Sequence, residues 1–514
     1  MTGRYSTRTG VWHTVMGRHM PRRSEVMMPR VFAESGYRTA ILGKWHLGDS
    51  YPYRPQDWGF HEVLVHGGGG VGQIPDYWGN DYFDDTYFHN GQAHKYGGYC
   101  TDVFFGEAIR FIRSNRASPF FVYLTTNAPH SPFRVVDHYS DRYRDHTGGD
   151  TDLAKFYGMI TNIDKNVGRL LACLRELELE KNTIVIFMTD NGTSRGATFS
   201  DRRGNNGELV SGYNAQMRGR KGSPYDGGHR VPCFVRWPAG GVSAGTDVDE
   251  LTAHLDLLPT LIDLCELERP VGTQLDGTSL VPLLSGKTTR WRKRTLFAHH
   301  QELPIPEKYR FGCVMSGNWR LVSRTDVESA PRFELYDVSV DPGQRRSLSD
   351  VHPEIVQRLR ADYDAWWTSL AAEFDQYSEI VLGDERQNPT RLTCFEWHSS
   401  QHWQQRDVRS ASIDNGFWAV EVARAGRYEI TLRRWPEELG APIAAGVDGG
   451  QAIKAVEAKI RIGKVEAAHA IPAGAPAVTL SARLEPGKTR LQTWLIDADG
   501  RSRGAYFAKV ERTD

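Results

Sequence analysis

Short runs that are apolar at nearly every position alternate, over the first 300 residues, with longer stretches in which apolar residues return every three or four places. The runs are "YRTAILG" (37–43), "PFFVYLTT" (119–126), "NTIVIFMTD" (182–190), "CFVRWP" (233–238) and "TLFAHH" (295–300). Rich in β-branched and aromatic residues, they predict buried strands. The three-to-four spacing predicts helices over 24–35, 102–116, 152–180, 255–266 and 352–371. Strands apolar on both faces need cover on both sides, so the expected architecture is α/β: a mixed, mostly parallel sheet between helices. The pattern then changes. "FGCVMSGNWRLVSR" (311–324) reads as a hairpin around Gly317-Asn318, "RFELYDV" (332–338) adds a strand, and a helix ends in "DAWWTSL" (364–370). This predicts a small antiparallel subdomain. Past about 380 helical spacing stops, and "FWAVEV", "GRYEITLRRW", "AKIRIGKV" and "TRLQTWLIDA" alternate apolar and polar residues between Gly/Pro turns. That pattern predicts an appended β-sandwich. The expected division is 1–300, 301–380 and 381–514.

Composition narrows the function classes. The 514 residues carry 63 Lys plus Arg against 63 Asp plus Glu, so no net field draws nucleic acid or an anionic membrane. No run approaches the roughly 18 apolar residues of a membrane span. Six cysteines are scattered without a CxxC pair, which leaves zinc ribbons and thioredoxin-type redox chemistry unsupported. The opening "MTGRYSTRTGVW" (1–12) shows neither a basic-then-apolar export signal nor a strand pattern. It is a Gly/Thr/Arg-rich turn of the kind that follows a structured element. Localisation and oligomeric state stay open. Trp397, Trp403, Trp418 and Trp435 lie near one another in sequence. Indole faces stack on sugar rings, but filling the sandwich core and its junction is the expected use of these four.

Candidate chemistry collects at strand ends, where open α/β sheets bind ligands. "GKWHLG" follows the first strand with Lys44 and His46. "NAPHSPF" follows the second with His130. "DNG" follows the third with Asp190 and Asn191. "GRKGSPYDGGHRVP", ahead of the fourth, carries Lys221, Asp226 and His229. Singly, each is an ordinary polar turn. Together they suit one site. Asp190 and Asn191 offer adjacent oxygen ligands to a hard cation such as calcium or magnesium. Lys44, His46, His130 and Lys221 supply positive charge and donors for an oxyanion ester, with a histidine able to protonate the leaving oxygen.

"SGYRTAILGKWHLG" (35–48), "RPQDWGF" (54–60), "NAPHSPF" (127–133), "MTDNG" (188–192), "RGRKGSPYDGGHRVPCFVRWP" (218–238), "LDLLPTLIDL" (255–264) and "ELYDVSVDP" (334–342) resemble the type I sulfatases. These form the arylsulfatase branch of the alkaline phosphatase superfamily. The resemblance runs from residue 1 to roughly 375, with one departure at Asp226, where the family usually has glutamate. It implies an alkaline-phosphatase-like fold and hydrolysis of sulfate monoesters, small-molecule or carbohydrate. It further implies calcium held by Asp190 and Asn191. Lys44 and His46 would hold the nucleophile's hydroxyl region and the sulfate, and His130 and Lys221 would contact the sulfate and assist leaving-group departure. The nucleophile it implies is a formylglycine, made from the first residue of Cys/Ser-x-Pro-x-Arg. "TGRY" resembles the segment just after that signature, and none of the six cysteines begins a Cys-x-Pro-x-Arg. The expectation is that Met1 is internal to a longer, exported protein, and that this chain lacks the first strand and nucleophile motif. Its calcium ligand set would then be incomplete, and it would show no turnover as given. A phosphodiesterase or phosphonate hydrolase of the same superfamily, and a non-catalytic sulfated-glycan-binding protein, are the alternatives. "GKWHLG" and "NAPHSPF" favour the sulfatase side. "NGxW" followed by "AGxYxxxLxRWP" resembles the β-domain appended to some bacterial arylsulfatases.

Overall fold

The computed structural model describes residues 1–201, 208–286, 291–324 and 330–514. Strand β1 (Arg38–Lys44) lies inside a five-stranded sheet, parallel to β2 (Glu62–His66) on one side and to β5 (Phe120–Thr125) on the other. β3 (Thr86–His89) and β4 (Gln92–Lys95) continue the sheet antiparallel, in the order β4-β3-β2-β1-β5. The sheet is therefore mixed, with parallel pairing confined to β1 and its neighbours. The reason is local. Asn90 and Gly91 both adopt positive φ (50° and 84°), the conformation that turns a two-residue hairpin back on itself.

Successive β1 side chains point to opposite faces. Ala40 and Leu42 pack on Phe104, Ala108 and Phe111 of the helix Cys100–Ser114 and Met159 of the helix Thr151–Glu176. Ile41 faces the other way, with Val15, Met16, Met27 and Phe60. On that side the helix Met28–Glu34 lays Phe32 flat on Phe121, with ring centroids 4.4 Å apart.

β6 (Val185–Met188) and β9 (Cys233–Arg236) pair antiparallel with each other instead of joining the main sheet. Their apolar runs predicted buried strands, yet Phe187 and Phe234 are 41% and 66% exposed. Each has one paired neighbour among the described residues, so one edge and much of each face stay uncovered. β5 and β6 are both edge strands among those residues. β7 (Ala197–Phe199) and β8 (Leu209–Gly212) form a small hairpin nearby.

β10 (Thr295–His299), β11 (Gly312–Ser316), β12 (Trp319–Arg324) and β13 (Arg332–Asp337) make an antiparallel sheet in chain order. Ser316 pairs with Trp319 across Gly317-Asn318, as expected of a two-residue turn. The helix Pro353–Ala371 buries Leu359, Tyr363, Trp366 and Trp367 on this sheet.

Two further sheets follow. One contains β14 (Ile380–Leu382), β16 (Phe417–Val422), β18 (Ala455–Ile462), β19 (Val465–Ala470), β21 (Gly487–Asp497) and β22 (Ser502–Arg503). The other contains β15 (Thr390–Thr393), β17 (Gly426–Arg433), β20 (Val478–Leu484) and β23 (Phe507–Arg512). Burial alternates along β17 and β20 as their sequences do, and the two sheets share a core that includes Trp397, Trp418 and Trp435. One helix, Gln405–Ser410, interrupts the β pattern. Too short to announce itself by periodicity, it is started by Asp407, whose carboxylate accepts from the backbone N–H of both Trp403 and Gln404 at 2.9 Å. The same core takes in Val15, Met16, Met20, Trp45 and Tyr53 from the N-terminal region.

Candidate active site

Lys44 is the last residue of β1 and stands in register with His66, the last of β2. Thr125 ends β5 beside it: its hydroxyl accepts from Lys44 N–H (3.1 Å) and donates to Lys44 C=O (2.7 Å). Gly43 makes this closeness possible. A Cβ there would lie 1.9 Å from the Thr125 carbonyl oxygen, and φ is 115°. Beyond β5 a turn closes through His130 N–H to Asn127 C=O (3.0 Å). The His130 ring donates from Nδ1 to Ser131 C=O (2.8 Å), and the Tyr82 hydroxyl donates to His130 C=O (2.8 Å). His46 donates from Nε2 to Thr14 C=O (2.7 Å). On its other side lies Gly69, where a Cβ would sit 2.0 Å from the ring.

The turn after β6 carries Asp190 and Asn191, the Asn191 amide donating to the Asp190 carboxylate. It packs backbone to backbone on residues 227–228: Gly192 N–H donates to Gly228 C=O at 3.0 Å, and a Cβ on Gly192 would meet Gly227 C=O at 1.9 Å. Lys221 N–H donates to Thr193 C=O (3.0 Å), which ties its loop to the same turn.

Mutual charge effects show which of these side chains lie together. Burial, then Lys221, pushes Lys44 down to about 8, with Asp190 opposing. Burial, Lys221 and Lys44 hold His130 at about 4. Burial, Lys44 and His19 drive His46 well below the usual imidazole range. Asp190 is lowered: burial works against this, but the Asn191 amide, Lys44 and Lys221 outweigh it. The structure thus gathers Lys44, His130, Lys221 and Asp190 into one group, with His46 adjoining through Lys44 and Asn191 through Asp190.

His66 belongs to the same group and was not singled out from sequence. It is fully buried, burial holds it at about 4, and Lys44 and His130 act on it. Nδ1 donates to Gly67 C=O (3.0 Å), while Nε2 is without a partner among the described residues, as are both amide atoms of buried Asn127. The available signal was positional: His66 ends β2 as Lys44 ends β1.

Asp226 and His229, candidates by sequence, do structural work. Asp226 is 1% exposed and pairs with Arg320 Nε of β12 at 3.1 Å, tying the α/β region to the small sheet. The His229 ring meets Pro224 C=O at 3.2 Å. Ser50-Tyr51-Pro52-Tyr53-Arg54 is a formal match to Ser-x-Pro-x-Arg. However, the Ser50 hydroxyl donates to Arg391 C=O and Arg54 pairs with Asp57 at 2.8 Å, so neither is engaged with the cluster.

Calcium takes roughly six to eight oxygen ligands. Asp190 and Asn191 offer two side chains, and no group of three or more His, Cys, Asp or Glu placed to hold a metal occurs among the described residues. Those residues do not by themselves make a calcium site. No helix among them is long and apolar enough to cross a membrane.

Comparison with known proteins adds identity to geometry. The Sulfatase family model matches residues 1–267, and the model for N-sulphoglucosamine sulphohydrolase, C-terminal, matches 221–364. Steryl-sulfatase of Mus musculus is 27% identical over 465 residues, covering 71% of this chain and 72% of its own. N-acetylgalactosamine-6-sulfatase of Sus scrofa is 29% identical over 436 residues, covering 77% and 79%. The crystal structure of Ps i-CgsB in complex with k-i-k-neocarrahexaose superposes with a TM-score of 0.60 at 24% identity, over 74% of this chain and 82% of that one. The structure of BT4656 in complex with its substrate D-glucosamine-2-N,6-O-disulfate gives 0.56 at 17%, over 73% and 87%. At these identities the structural likeness establishes the fold.

Proposed function

The chain belongs to the sulfatase family, hydrolases acting on sulfuric esters, and we propose on that premise that it binds sulfate monoesters of carbohydrates at the cluster of Lys44, His46, His130 and Lys221. The observation that carries this is the grouping of Lys44, Lys221 and His130 about the Asp190 carboxylate, with His46 adjoining through Lys44. With both imidazoles neutral, two lysines facing one carboxylate still leave a net positive charge, which a bound anion offsets. A sulfate ester carries one negative charge spread over three non-bridging oxygens, and fits. A carbohydrate alcohol is supported by relatives named for N-acetylgalactosamine 6-sulfate and by the structural neighbour holding a disulfated glucosamine.

Each side chain has a defined task in this reading. Lys44 and Lys221 neutralise the non-bridging oxygens. His130, its Nδ1–H bonded to Ser131 C=O, is the group whose Nε2, once it takes up a proton as the anion binds, would donate that proton to the ester oxygen. His46, its Nε2–H given to Thr14 C=O and its ring packed against Gly69, lines the sulfate site beside Lys44. Asp190 keeps Lys44 charged. A formylglycine, where a sulfatase carries one, supplies the oxygen that attacks sulfur. None of the six cysteines of this chain begins the motif that yields it, and Ser50 is engaged elsewhere, so no step is routed through it. The expectation for these 514 residues is sulfate binding without turnover. Calorimetric titration with inorganic sulfate should show one site. Lys221→Ala should weaken it about 10- to 100-fold, the worth of one charge-assisted contact, and aryl sulfate should stay intact. Equal affinity in Lys221→Ala and the unchanged chain would remove the assignment.

A further inference from the structure

The four C-terminal tryptophans part company in the structure. Trp397, Trp418 and Trp435 are at most 1% exposed and fill the core of the two C-terminal sheets. Trp403 is only half-buried and reaches across to the α/β region. Its indole Nε1 donates to the Thr14 hydroxyl at 3.2 Å, and Thr14 C=O is the acceptor for His46 Nε2. One residue therefore stands between Trp403 and the candidate catalytic histidine. The indole also stacks on His13, with centroids 6.2 Å apart and planes inclined by 28°. From the other side, Ile74 N–H donates to Trp403 C=O at 3.0 Å. This fastens Trp403 to the glycine-rich segment that runs back to Gly69 against His46. Exposed Gln401 extends the rim, its amide meeting His13 Nε2 at 3.1 Å.

We propose that Trp403 is a specificity-determining residue, an aromatic wall contributed by the C-terminal β region to the mouth beside His46, against which the pyranose ring of a sulfated sugar packs. This rests on the sulfate site proposed above. With sulfate held among Lys44, His46, His130 and Lys221, the sugar must project away from the strand ends. The segment 401–403 adjoins His46 through His13 and Thr14. A half-buried indole, fixed by a hydrogen bond on its nitrogen and a stacked ring on its face, costs little entropy to present. The neighbouring polar groups, Gln401 and the Thr14 hydroxyl, suit sugar hydroxyls better than a bare aryl group.

The test is a pair of titrations on the full chain, with inorganic sulfate and with N-acetylgalactosamine 6-sulfate. Trp403→Ala should weaken the sugar sulfate about tenfold, in the range of one aromatic contact, and leave inorganic sulfate unchanged. Trp403→Phe, which keeps a ring but loses the bond to Thr14, should retain most of the sugar affinity. Unchanged sugar affinity in Trp403→Ala, with sulfate still bound, overturns the proposal and spares the sulfate site. Equal losses in Phe and Ala, for both ligands, also overturn it, because the residue then acts by positioning Thr14 and His46. Failure of the unchanged chain to bind inorganic sulfate overturns the underlying site instead.

Discussion

His130 is the side chain whose charge decides what the site can do. The site keeps it neutral above about 4, because burial disfavours its charged form and two lysines, Lys221 and Lys44, oppose a third cation beside them. A bound sulfate reverses the local sign, so His130 takes up a proton as the anion enters. A group whose pKa rises on binding makes affinity grow as pH falls, from the bound-state pKa down to the free-state value near 4. Sulfate affinity should therefore rise between pH 7 and 5 in the unchanged chain and flatten in His130→Gln. Titration in two buffers of different ionisation enthalpy would reveal the proton uptake directly. The opposite slope would mean that His130 does not face the anion. Residue identity was legible here: "GKWHLG", "NAPHSPF" and "DNG" announced polar clusters at strand ends. The place of Asp226 was not legible, because a carboxylate in a glycine turn looks the same whether it faces a ligand or, as here, a buried Arg320.

At the scale of elements, the strands of the α/β region were readable because both faces of β1 are buried at its apolar centre, Ala40–Leu42. The antiparallel β3–β4 pair escaped, since "TYFH" and "QAHK" are short and mostly polar. The helix Gln405–Ser410 escaped because a single carboxylate cap starts it. His66 lay hidden at the mouth of a glycine-rich run, whose purpose is visible only in three dimensions. Gly69 is there for room, since any side chain would occupy the His46 ring. Gly69→Ala should push His46 off Thr14 and weaken sulfate about tenfold, at a stability cost of about 1–3 kcal/mol. Circular dichroism and sulfate titration together check this: native-like sulfate affinity in that variant would show that His46 has freedom to move. The same change at Gly70, where a Cβ meets nothing closer than 3.5 Å, serves as the control.

The whole molecule is less divisible than its sequence pattern suggests. Residues 12–20 are irregular, yet all but Thr14 are buried, and they touch every part. Trp12 Nε1 and Arg18 Nε donate to Leu303 and Pro304 C=O in the loop between β10 and β11 of the small sheet, at 3.0 and 3.1 Å. Met16 N–H donates to Phe395 C=O in the C-terminal region at 3.1 Å. Arg18 lies 4.7 Å from the rings of both Trp12 and Tyr377. None of this is visible in periodicity, because the partners are hundreds of residues apart: Trp403 and Thr14 are separated by 389. Deleting 381–514 should therefore expose Met16, Met20, Trp45 and Tyr53 and give an aggregating remainder, not a free α/β unit. Calorimetry of the full chain should show one unfolding transition, and two separated peaks would refute that coupling. The segment also makes an unusual forecast for solvent deuterium. Amide protons that exchange only through global opening usually lie in central strands. Here the Met16 amide, in a stretch without regular structure, should be among the last to exchange. Its clock would then time the parting of all three regions at once.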